Sequence, residues 1–131
     1  MAYTIIYKGH FDSAHYLNDY IGKCKNLHGH RFYYEVNLKF IELDKAGMAI
    51  DFHDIGNVMG TLEDMVDHKC LNDVLPFNPT AENLAKWMFD EVEKILPGKV
   101  SKILIWESDK AGVEYTNKAC DKTCEKEQPC L

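Results

Sequence analysis

The sequence predicts an α+β fold in which an antiparallel four-stranded sheet carries two helices on one face. Two N-terminal and two C-terminal segments alternate apolar and polar residues with a period of two, and two segments between them repeat apolar residues at helical spacing. The predicted order is therefore β-β-α-α-β-β. One domain is expected over residues 1–118, since 131 residues suffice for one ordinary core. Residues 119–131 form a polar tail whose composition favours flexibility.

The first strand is predicted over residues 3–11, where most odd positions are apolar or aromatic, and His15 continues that parity. The second is predicted over residues 30–41, where the even positions are apolar and share a face with His28 and His30. A polar, glycine-containing loop joins the two strands into a hairpin. We therefore expect His15 to lie near His28 and His30.

Both helices begin at capping residues. Asp51 is the predicted N-cap of the first helix and Thr80 that of the second, which Pro97-Gly98 ends. The last two strands are predicted over residues 99–107 and 112–116. The core-facing stripe of the first helix is predicted to contain Phe52, Ile55, Val58, Met59, Leu62, Met65 and Val66.

An open antiparallel sheet leaves two edge strands unpaired and one face uncovered. Large side chains such as Tyr33 lie on that uncovered face of the predicted sheet. Association of identical chains pairs such edges and covers such faces. We therefore expect a homo-oligomer.

The composition argues against a nucleic-acid-binding or membrane protein. The formal net charge is -6, and Arg31 is the single arginine among fifteen basic residues, whereas nucleic-acid-binding surfaces cluster basic residues. No stretch approaches the roughly 20 apolar residues of a membrane span, and no secretory leader pattern is present. The five cysteines, an odd number, favour reduced thiols and a cytoplasmic location. Three tail cysteines match no zinc or iron–sulfur spacing and are interpreted as incidental: Cys120, Cys124 and Cys130.

His28 and His30 are predicted to bind one metal ion together with His15. Gly29 between them has no side chain, so backbone or ligand can approach closely. Imidazole nitrogen suits Zn2+, and three histidines leave one coordination position open, as in catalytic zinc sites. A lone His-x-His on a surface strand carries little weight, but a third histidine on the neighbouring strand favours a metal.

Cys24 lies four residues before His28 and has three interpretations. It could be a fourth zinc ligand, a reactive thiolate or an inert buried thiol. Lys23, Lys25 and a metal would stabilise a thiolate, whereas ligation would close the zinc site and remove catalysis. All three interpretations stay open from the spacing alone.

Two further positions contain carboxylates. Asp67-His68 has the composition of a general base oriented by a carboxylate, although adjacent residues seldom face each other and the pair could be a solvated helix end. Glu107 ends an apolar strand and could accept two hydrogen bonds from an exocyclic amine and a ring N–H, the donor pattern of guanine and pterins. The alternative is an ordinary exposed strand-end glutamate.

Six separated motifs together resemble the 6-pyruvoyl-tetrahydropterin synthase family across residues 3–116. They are Phe11-Asp-Ser-Ala-His15, Cys24-Lys-Asn-Leu-His28-Gly-His30, Ile50-Asp-Phe52, Asp67-His68 followed by Leu71-Asn72, Asn78-Pro-Thr80-Ala-Glu82-Asn83, and Glu107 before Ala111-Gly112. The short Cys-x3-His-Gly-His interval looks like the 6-carboxy-tetrahydropterin synthases of queuosine biosynthesis. Animal-type pyruvoyl enzymes usually have a longer interval, and a third branch has glutamate in place of the cysteine.

The resemblance implies a tunnelling fold, whose sheets join into trimeric barrels that pair into hexamers. It implies that Cys24 is the catalytic thiol and that Asp67 with His68 transfers protons, often across a subunit boundary. It also implies that Glu107 anchors the pterin, with Thr80 as a second contact. The implied Zn2+ ligands are His15, His28 and His30.

The implied reaction converts 7,8-dihydroneopterin triphosphate, a small-molecule substrate, into 6-carboxy-5,6,7,8-tetrahydropterin with release of triphosphate and acetaldehyde. The rival pyruvoyl reaction uses the same ligands and eliminates triphosphate without cleaving the side chain. A third hypothesis is an assembly module stabilised by zinc and without turnover, in which Cys24 ligates the metal.

Overall fold

A five-stranded sheet is the main layer of this computed structural model, which describes residues 2–117. Its strands are β1 (Tyr3–His15), β2 (His28–Phe40), β3 (Lys69–Cys70), β4 (Val100–Trp106) and β5 (Gly112–Tyr115). The helices are α1 (Phe52–Val66), α2 (Leu71–Val74) and α3 (Ala81–Ile95). The predicted α+β class and element order are confirmed, with β3 and α2 as short additions between the predicted helices.

The short strand β3 is absent from the sequence-based prediction. It pairs in parallel with β1, with Ser13 opposite Lys69 and Ala14 opposite Cys70. The sheet therefore has the order β3-β1-β2-β4-β5, with one parallel strand at its edge. Two residues are too few to show a period of two, so the sequence contains no pattern from which β3 could be predicted.

The β1–β2 hairpin is longer at its loop end than predicted. The antiparallel register runs unbroken to a final pair in which His15 lies opposite His28. His30 lies two residues further along β2, opposite Ser13, so it shares a face with His28. The loop over residues 16–27 contains a single 3-10 turn, Lys23–Lys25.

The helices pack their apolar stripes on one hydrophobic core with the sheet. The predicted caps are confirmed: the Asp51 side chain accepts from the backbone N–H of His53, and Thr80 accepts from that of Asn83. Two residues of the predicted stripe of α1 are exposed instead, Phe52 at 67% and Met65 at 41%. Met65 lies next to Val66 at the border of the buried stripe, whereas Phe52 keeps the spacing of the stripe but is the first residue of α1, at the end of the helix.

Several predictions on assembly and location stay as predictions. The described sheet is open, with β3 and β5 at its edges. The homo-oligomer expected from such edges stays a prediction. Cys120, Cys124 and Cys130 lie outside the described residues. Within residues 2–117, no helix is long and apolar enough to cross a membrane.

Candidate metal centre and neighbouring cavity

Three histidines converge at the loop end of the β1–β2 hairpin. One ring nitrogen of each of His15, His28 and His30 lies within 4.8 Å of the other two. The ring centroids are 4.6 to 5.1 Å apart. The convergence follows from the register, because a cross-strand pair and a residue two positions further along share one face. The predicted proximity of the three side chains is confirmed.

Hydrogen bonds to carbonyl groups orient two of these rings. Nδ1 of His15 donates to the carbonyl of Pro79 at 2.7 Å, and Nδ1 of His28 donates to the carbonyl of Asn26 at 2.7 Å. A carbonyl oxygen only accepts, so the proton of each neutral ring lies on Nδ1 and the lone pair lies on Nε2. Metal-binding histidines are typically oriented in this way.

The three Nε2 atoms are buried and have no hydrogen-bond partner among the described residues. An unpaired buried polar atom is costly, and three in one place point to a ligand that satisfies them together. Three imidazole nitrogens are a donor set that suits Zn2+ and leaves a position open for a further ligand. The residues present therefore fit a catalytic type of zinc centre.

The charge state of the cluster favours metal binding. Burial lowers the pKa of His15 and His30, and the neighbouring His28 lowers both pKa values further. The carboxylate of Glu107 opposes this effect and raises both pKa values in part. The neutral form of the His15 and His30 rings is therefore favoured, which is the form that coordinates a metal, and Glu107 is close enough to affect both rings.

Cys24 lies in the 3-10 turn before the histidine pair. Its side chain is half-buried, whereas those of Lys23 and Lys25 are exposed. The Cys24 thiol is not a member of the group of donor atoms formed by the three histidines. Of the interpretations that spacing left open, this geometry favours a thiol that does not ligate the metal.

Asp67 and His68 face each other although they are adjacent in sequence. His68 Nε2 lies 3.7 Å from Asp67 Oδ2. This orientation is possible because His68 has a positive φ of 56°, a left-handed backbone conformation that redirects its side chain. The backbone of Asp12 holds the pair, since its N–H donates to Asp67 Oδ1 at 2.9 Å and its carbonyl accepts from the N–H of His68 at 2.6 Å.

The Asp67–His68 pair belongs to a second group of donor atoms, which Asp12 completes. The Asp12 carboxylate accepts from Arg31 Nε at 2.8 Å on the uncovered face of the sheet. Because successive residues of a strand point to opposite faces, the side chains of Asp12 and His15 point to opposite faces of β1. The structure therefore does not bring His68 into the histidine cluster of the same chain.

Glu107 and Thr80 line one cavity of about 370 Å³. Thr80 is at the start of α3, and the backbone N–H of Glu107 closes the β4–β5 turn on the carbonyl of Ala111 at 3.2 Å. The loop after β1 contributes Leu17 and Tyr20 to the same cavity. The sequence singles out the first two residues, but it offers no pattern that would identify Leu17 or Tyr20.

The two carbonyl groups that orient the histidines were also not predicted. They belong to Asn26 and Pro79, and a backbone oxygen leaves no signature in residue type. The motif Asn78-Pro-Thr80 is the available signal, since it immediately precedes a predicted helix start. It indicates an ordered segment without indicating which atom contacts a histidine.

Comparisons with known proteins agree with one another on the family. The family model described as 6-pyruvoyl tetrahydropterin synthase matches residues 4–118. Dihydroneopterin monophosphate aldolase of Pyrococcus furiosus is 37% identical over 116 residues, covering 87% of this chain and 97% of the relative. 6-Carboxy-5,6,7,8-tetrahydropterin synthase of Haemophilus influenzae is 30% identical over 131 residues, covering 80% and 92%. The structure of Caenorhabditis elegans 6-pyruvoyl tetrahydropterin synthase is similar with a TM-score of 0.81, at 26% identity, covering 90% of this chain and 97% of the other.

Proposed function

Since this chain belongs to the 6-pyruvoyl tetrahydropterin synthase family, we propose that it converts 7,8-dihydroneopterin triphosphate into 6-carboxy-5,6,7,8-tetrahydropterin, releasing triphosphate and acetaldehyde. It would thereby act in the queuosine pathway. The observation that carries the proposal is the set of three buried Nε2 atoms that have no partner within residues 2–117, together with the carboxylate of Glu107, which affects two of these rings and lines a cavity. Several relatives named for this synthase activity, at 30% to 37% identity, support the choice of product.

In this proposal, Zn2+ is held by His15, His28 and His30. When bound, the ion would supply Lewis-acid chemistry that makes hydroxyl groups of the substrate side chain more acidic. The contribution of the chain itself is to present neutral imidazoles in a fixed orientation through Pro79 and Asn26.

Cys24 is proposed to move a proton at the substrate side chain. Lys23 and Lys25 flank it in the 3-10 turn with exposed side chains. A half-buried thiol outside the ligand group is available for such a transfer. The metal-ligand hypothesis for Cys24 has less support from this geometry.

Asp67 and His68 are proposed to transfer a second proton, with His68 as the group that exchanges it and Asp67 orienting the ring. The pair lies on the face of the sheet opposite the histidine cluster of its own chain. We therefore propose that His68 serves the cluster of a second copy, in a homotrimer or hexamer with shared active sites. The exposed side chain of His68, at 79%, is accessible to a second copy.

Glu107 is proposed to anchor the pterin ring in the cavity that it shares with Thr80. A carboxylate can accept a pair of hydrogen bonds from the exocyclic amine and the adjacent ring N–H. The hydroxyl of Thr80 already accepts from the backbone N–H of Asn83 and keeps its own proton to donate to the ligand.

A second candidate function is aldol cleavage of dihydroneopterin monophosphate. The Pyrococcus furiosus relative named for this activity is 37% identical to this chain and covers 87% of it. In a retro-aldol step, a base removes a hydroxyl proton, the adjacent side-chain carbon–carbon bond breaks, and the carbon that receives the electron pair is protonated. The products are a 6-hydroxymethyl pterin and glycolaldehyde phosphate. In this reaction Cys24 would again move a proton and Glu107 would again bind the pterin ring.

Product identification separates these functions. Zinc-loaded protein is incubated in parallel with dihydroneopterin triphosphate and with the monophosphate, and the products are identified by mass spectrometry. 6-Carboxytetrahydropterin with acetaldehyde supports the proposal, whereas a 6-hydroxymethyl pterin with glycolaldehyde phosphate supports the aldolase. A pyruvoyl product without an aldehyde indicates the family's pyruvoyl reaction.

A matched pair of cysteine variants separates the enzyme from an assembly module. Cys24→Ala should keep its zinc and lose about 100-fold in kcat, the usual contribution of a positioned acid or base. Cys70→Ala changes the other free cysteine of the described residues and should retain activity. Loss of both zinc and assembly in Cys24→Ala would instead indicate that Cys24 is a ligand in a module without turnover.

A further inference from the structure

We propose that Asn72 and Asn78 are positioning residues for Cys24, an inference that rests on the catalytic role proposed above for this thiol. The loop over residues 16–27 leaves β1 after His15 and contains Cys24 in its 3-10 turn. Two side-chain amides from outside the loop hold its first residues. Neither asparagine belongs to the metal, thiol or pterin-binding residues of the proposed mechanism.

Each amide binds both backbone groups of one residue. Asn72 Oδ1 accepts from the N–H of Tyr16 at 3.0 Å, and Asn72 Nδ2 donates to the carbonyl of Tyr16 at 2.9 Å. Asn78 repeats the pattern on Asn18, accepting from its N–H at 2.9 Å and donating to its carbonyl at 3.1 Å. The two asparagines thus pair with alternate residues, as a neighbouring β-strand would.

Leu17, between the held residues Tyr16 and Asn18, is hydrogen-bonded to Cys24. The N–H of Leu17 donates to the carbonyl of Cys24 at 2.8 Å. Tyr16 and Asn18 are fixed on either side, so the amides determine where the Cys24 turn attaches to the fold. Apart from the contact between His28 Nδ1 and Asn26, the hydrogen bonds that join residues 16–27 to other elements in the described part of the chain all involve Asn72 or Asn78.

Burial cannot supply this constraint. Ile21 is 98% exposed and Tyr20 is 49% exposed, and Cys24 and Leu17 are only half-buried. A loop with few buried apolar contacts has low local stability, so hydrogen bonds decide its position. A reacting group needs that help, because a side chain must be held within a fraction of an ångström of its productive geometry.

The Asn78 anchor is itself part of the start of α3. The carbonyl of Asn78 accepts from Asn83 Nδ2 at 2.9 Å and from the N–H of Thr80 at 2.8 Å. The next residue, Pro79, supplies the carbonyl that orients His15. One helix start therefore fixes the Cys24 loop, a histidine of the cluster and one wall of the cavity relative to each other.

Kinetics of alanine variants test the proposal in the zinc-loaded protein. Asn72→Ala and Asn78→Ala should each lower kcat about tenfold and the double variant about 100-fold, since a misplacement of about 1 Å costs up to that factor. Zinc content should stay at the wild-type value, and the KM of Asn72→Ala should change less than about twofold, because a positioning defect acts on the chemical step. Asn57→Ala, an exposed asparagine of α1, is the matched control and should be unchanged.

Site-resolved alkylation provides a readout that does not depend on turnover. Iodoacetamide labelling of each cysteine, followed by mass spectrometry, should show Cys24 reacting at least about threefold faster in Asn78→Ala, because a released loop exposes the thiol. The rate at Cys70 should not change. Equal acceleration at both cysteines would indicate general loosening of the fold and would overturn the proposal.

Asn78→Asp keeps the proposal testable if alanine variants fold poorly. The aspartate preserves the shape and the acceptor for Asn18 N–H, but it replaces the donor to the Asn18 carbonyl by an oxygen. It should therefore lower kcat as Asn78→Ala does, with zinc retained. Wild-type kcat and wild-type Cys24 alkylation in Asn78→Asp would overturn the proposal. Full turnover in Cys24→Ala would instead refute the catalytic role proposed for Cys24, while alkylation would still decide whether the asparagines position this thiol. Absence of the carboxy product with the wild-type protein would refute the proposed function itself.

Discussion

The histidine cluster and the Asp67–His68 pair lie at the same end of β1 and differ in every physical respect. In the cluster, carbonyls of the same chain orient two of the three rings, and the three Nε2 atoms are buried and have no partner among the described residues. The pair is on the opposite face, and its imidazole side chain is 79% exposed. The comparison teaches that a candidate metal centre can be complete in one chain while its proposed proton-transfer partner faces outwards.

Removal of one histidine of the cluster should have the largest effect. We expect His28→Ala to lose its zinc and at least about 100-fold in turnover, since even the outer partners of metal ligands are worth 10- to 100-fold. Zinc is measured by metal analysis of the purified protein and turnover by product formation. His28 is preferred because it is half-buried, whereas His15 is fully buried and its loss would damage the core.

A histidine on the other face of the same hairpin is the matched control. His10 lies on β1 beside Tyr33, with ring centroids 5.9 Å apart, and takes no part in the cluster. His10→Ala should therefore keep its zinc. A full zinc complement in His28→Ala would show that the cluster is not the metal centre.

Mixing of two inactive variants tests whether the exposed pair serves a second copy. Cys24→Ala and His68→Ala should each be nearly inactive as pure proteins. In mixed oligomers with random assembly, about a quarter of the shared sites combine an intact Cys24 with an intact His68 from another copy. Activity should then recover to about a quarter of the wild-type value, measured after denaturation and refolding of the mixture. No recovery in oligomers shown to be mixed by mass spectrometry would place the pair and the thiol in one chain.

The histidine cluster was predictable from the sequence. The period of two places His28 and His30 on one face, and parity places His15 on the matching face of the neighbouring strand. Pairing of the two strands in a hairpin brings the three histidines together. A slip of the register by one residue would turn the apolar side chains of a strand away from the core, so the pairing is well determined. Caps at Asp51 and Thr80 were predictable for a similar reason, since a helix start needs a side-chain acceptor.

The geometry of the Asp67–His68 pair was not predictable in the same way. The positive φ of His68 and the two-residue strand β3 arise from tertiary contacts with β1, and no residue pattern encodes them. The exposure of Phe52 likewise depends on where the helix stripe meets the sheet. Periodicity identifies the face on which a residue lies, but it does not reveal backbone turns or the carbonyl of Pro79.

Glu107 should belong functionally with the cluster, because its charge raises the pKa of His15 and of His30. We expect Glu107→Gln to weaken pterin binding by about 10- to 100-fold, the value of one or two hydrogen bonds to a charged acceptor. Zinc content should not change. Binding is measured by fluorescence titration with a non-reactive pterin. Glu114→Gln, an exposed strand glutamate paired with Lys102, is the control, and wild-type affinity in Glu107→Gln would refute the anchor.

The smallest predicted effect concerns the metal-free protein, in which burial of the cluster should make stability depend on pH. The pKa values of His15 and His30 in the folded state lie below the usual 6.5, mainly because burial disfavours the charged ring. As the pH falls through 6.5, the unfolded state binds more protons than the folded state, so the free energy of unfolding decreases. Above that pH both states are neutral at these residues and the effect vanishes. We expect the Tm of zinc-stripped protein to fall between about pH 7.5 and about pH 5.5, the range on either side of the ordinary pKa of histidine.

Calorimetry of zinc-stripped wild-type protein and of His30→Asn measures this effect and its source. The asparagine removes one of the two rings whose pKa is lowered by burial, so the slope of Tm against pH should become shallower in the variant. The exposed Asp67–His68 pair remains intact in both proteins, which restricts the difference to the buried cluster. A Tm that rises as the pH falls, or an equal slope in the two proteins, would show that burial of the histidines is not what distinguishes the two regions.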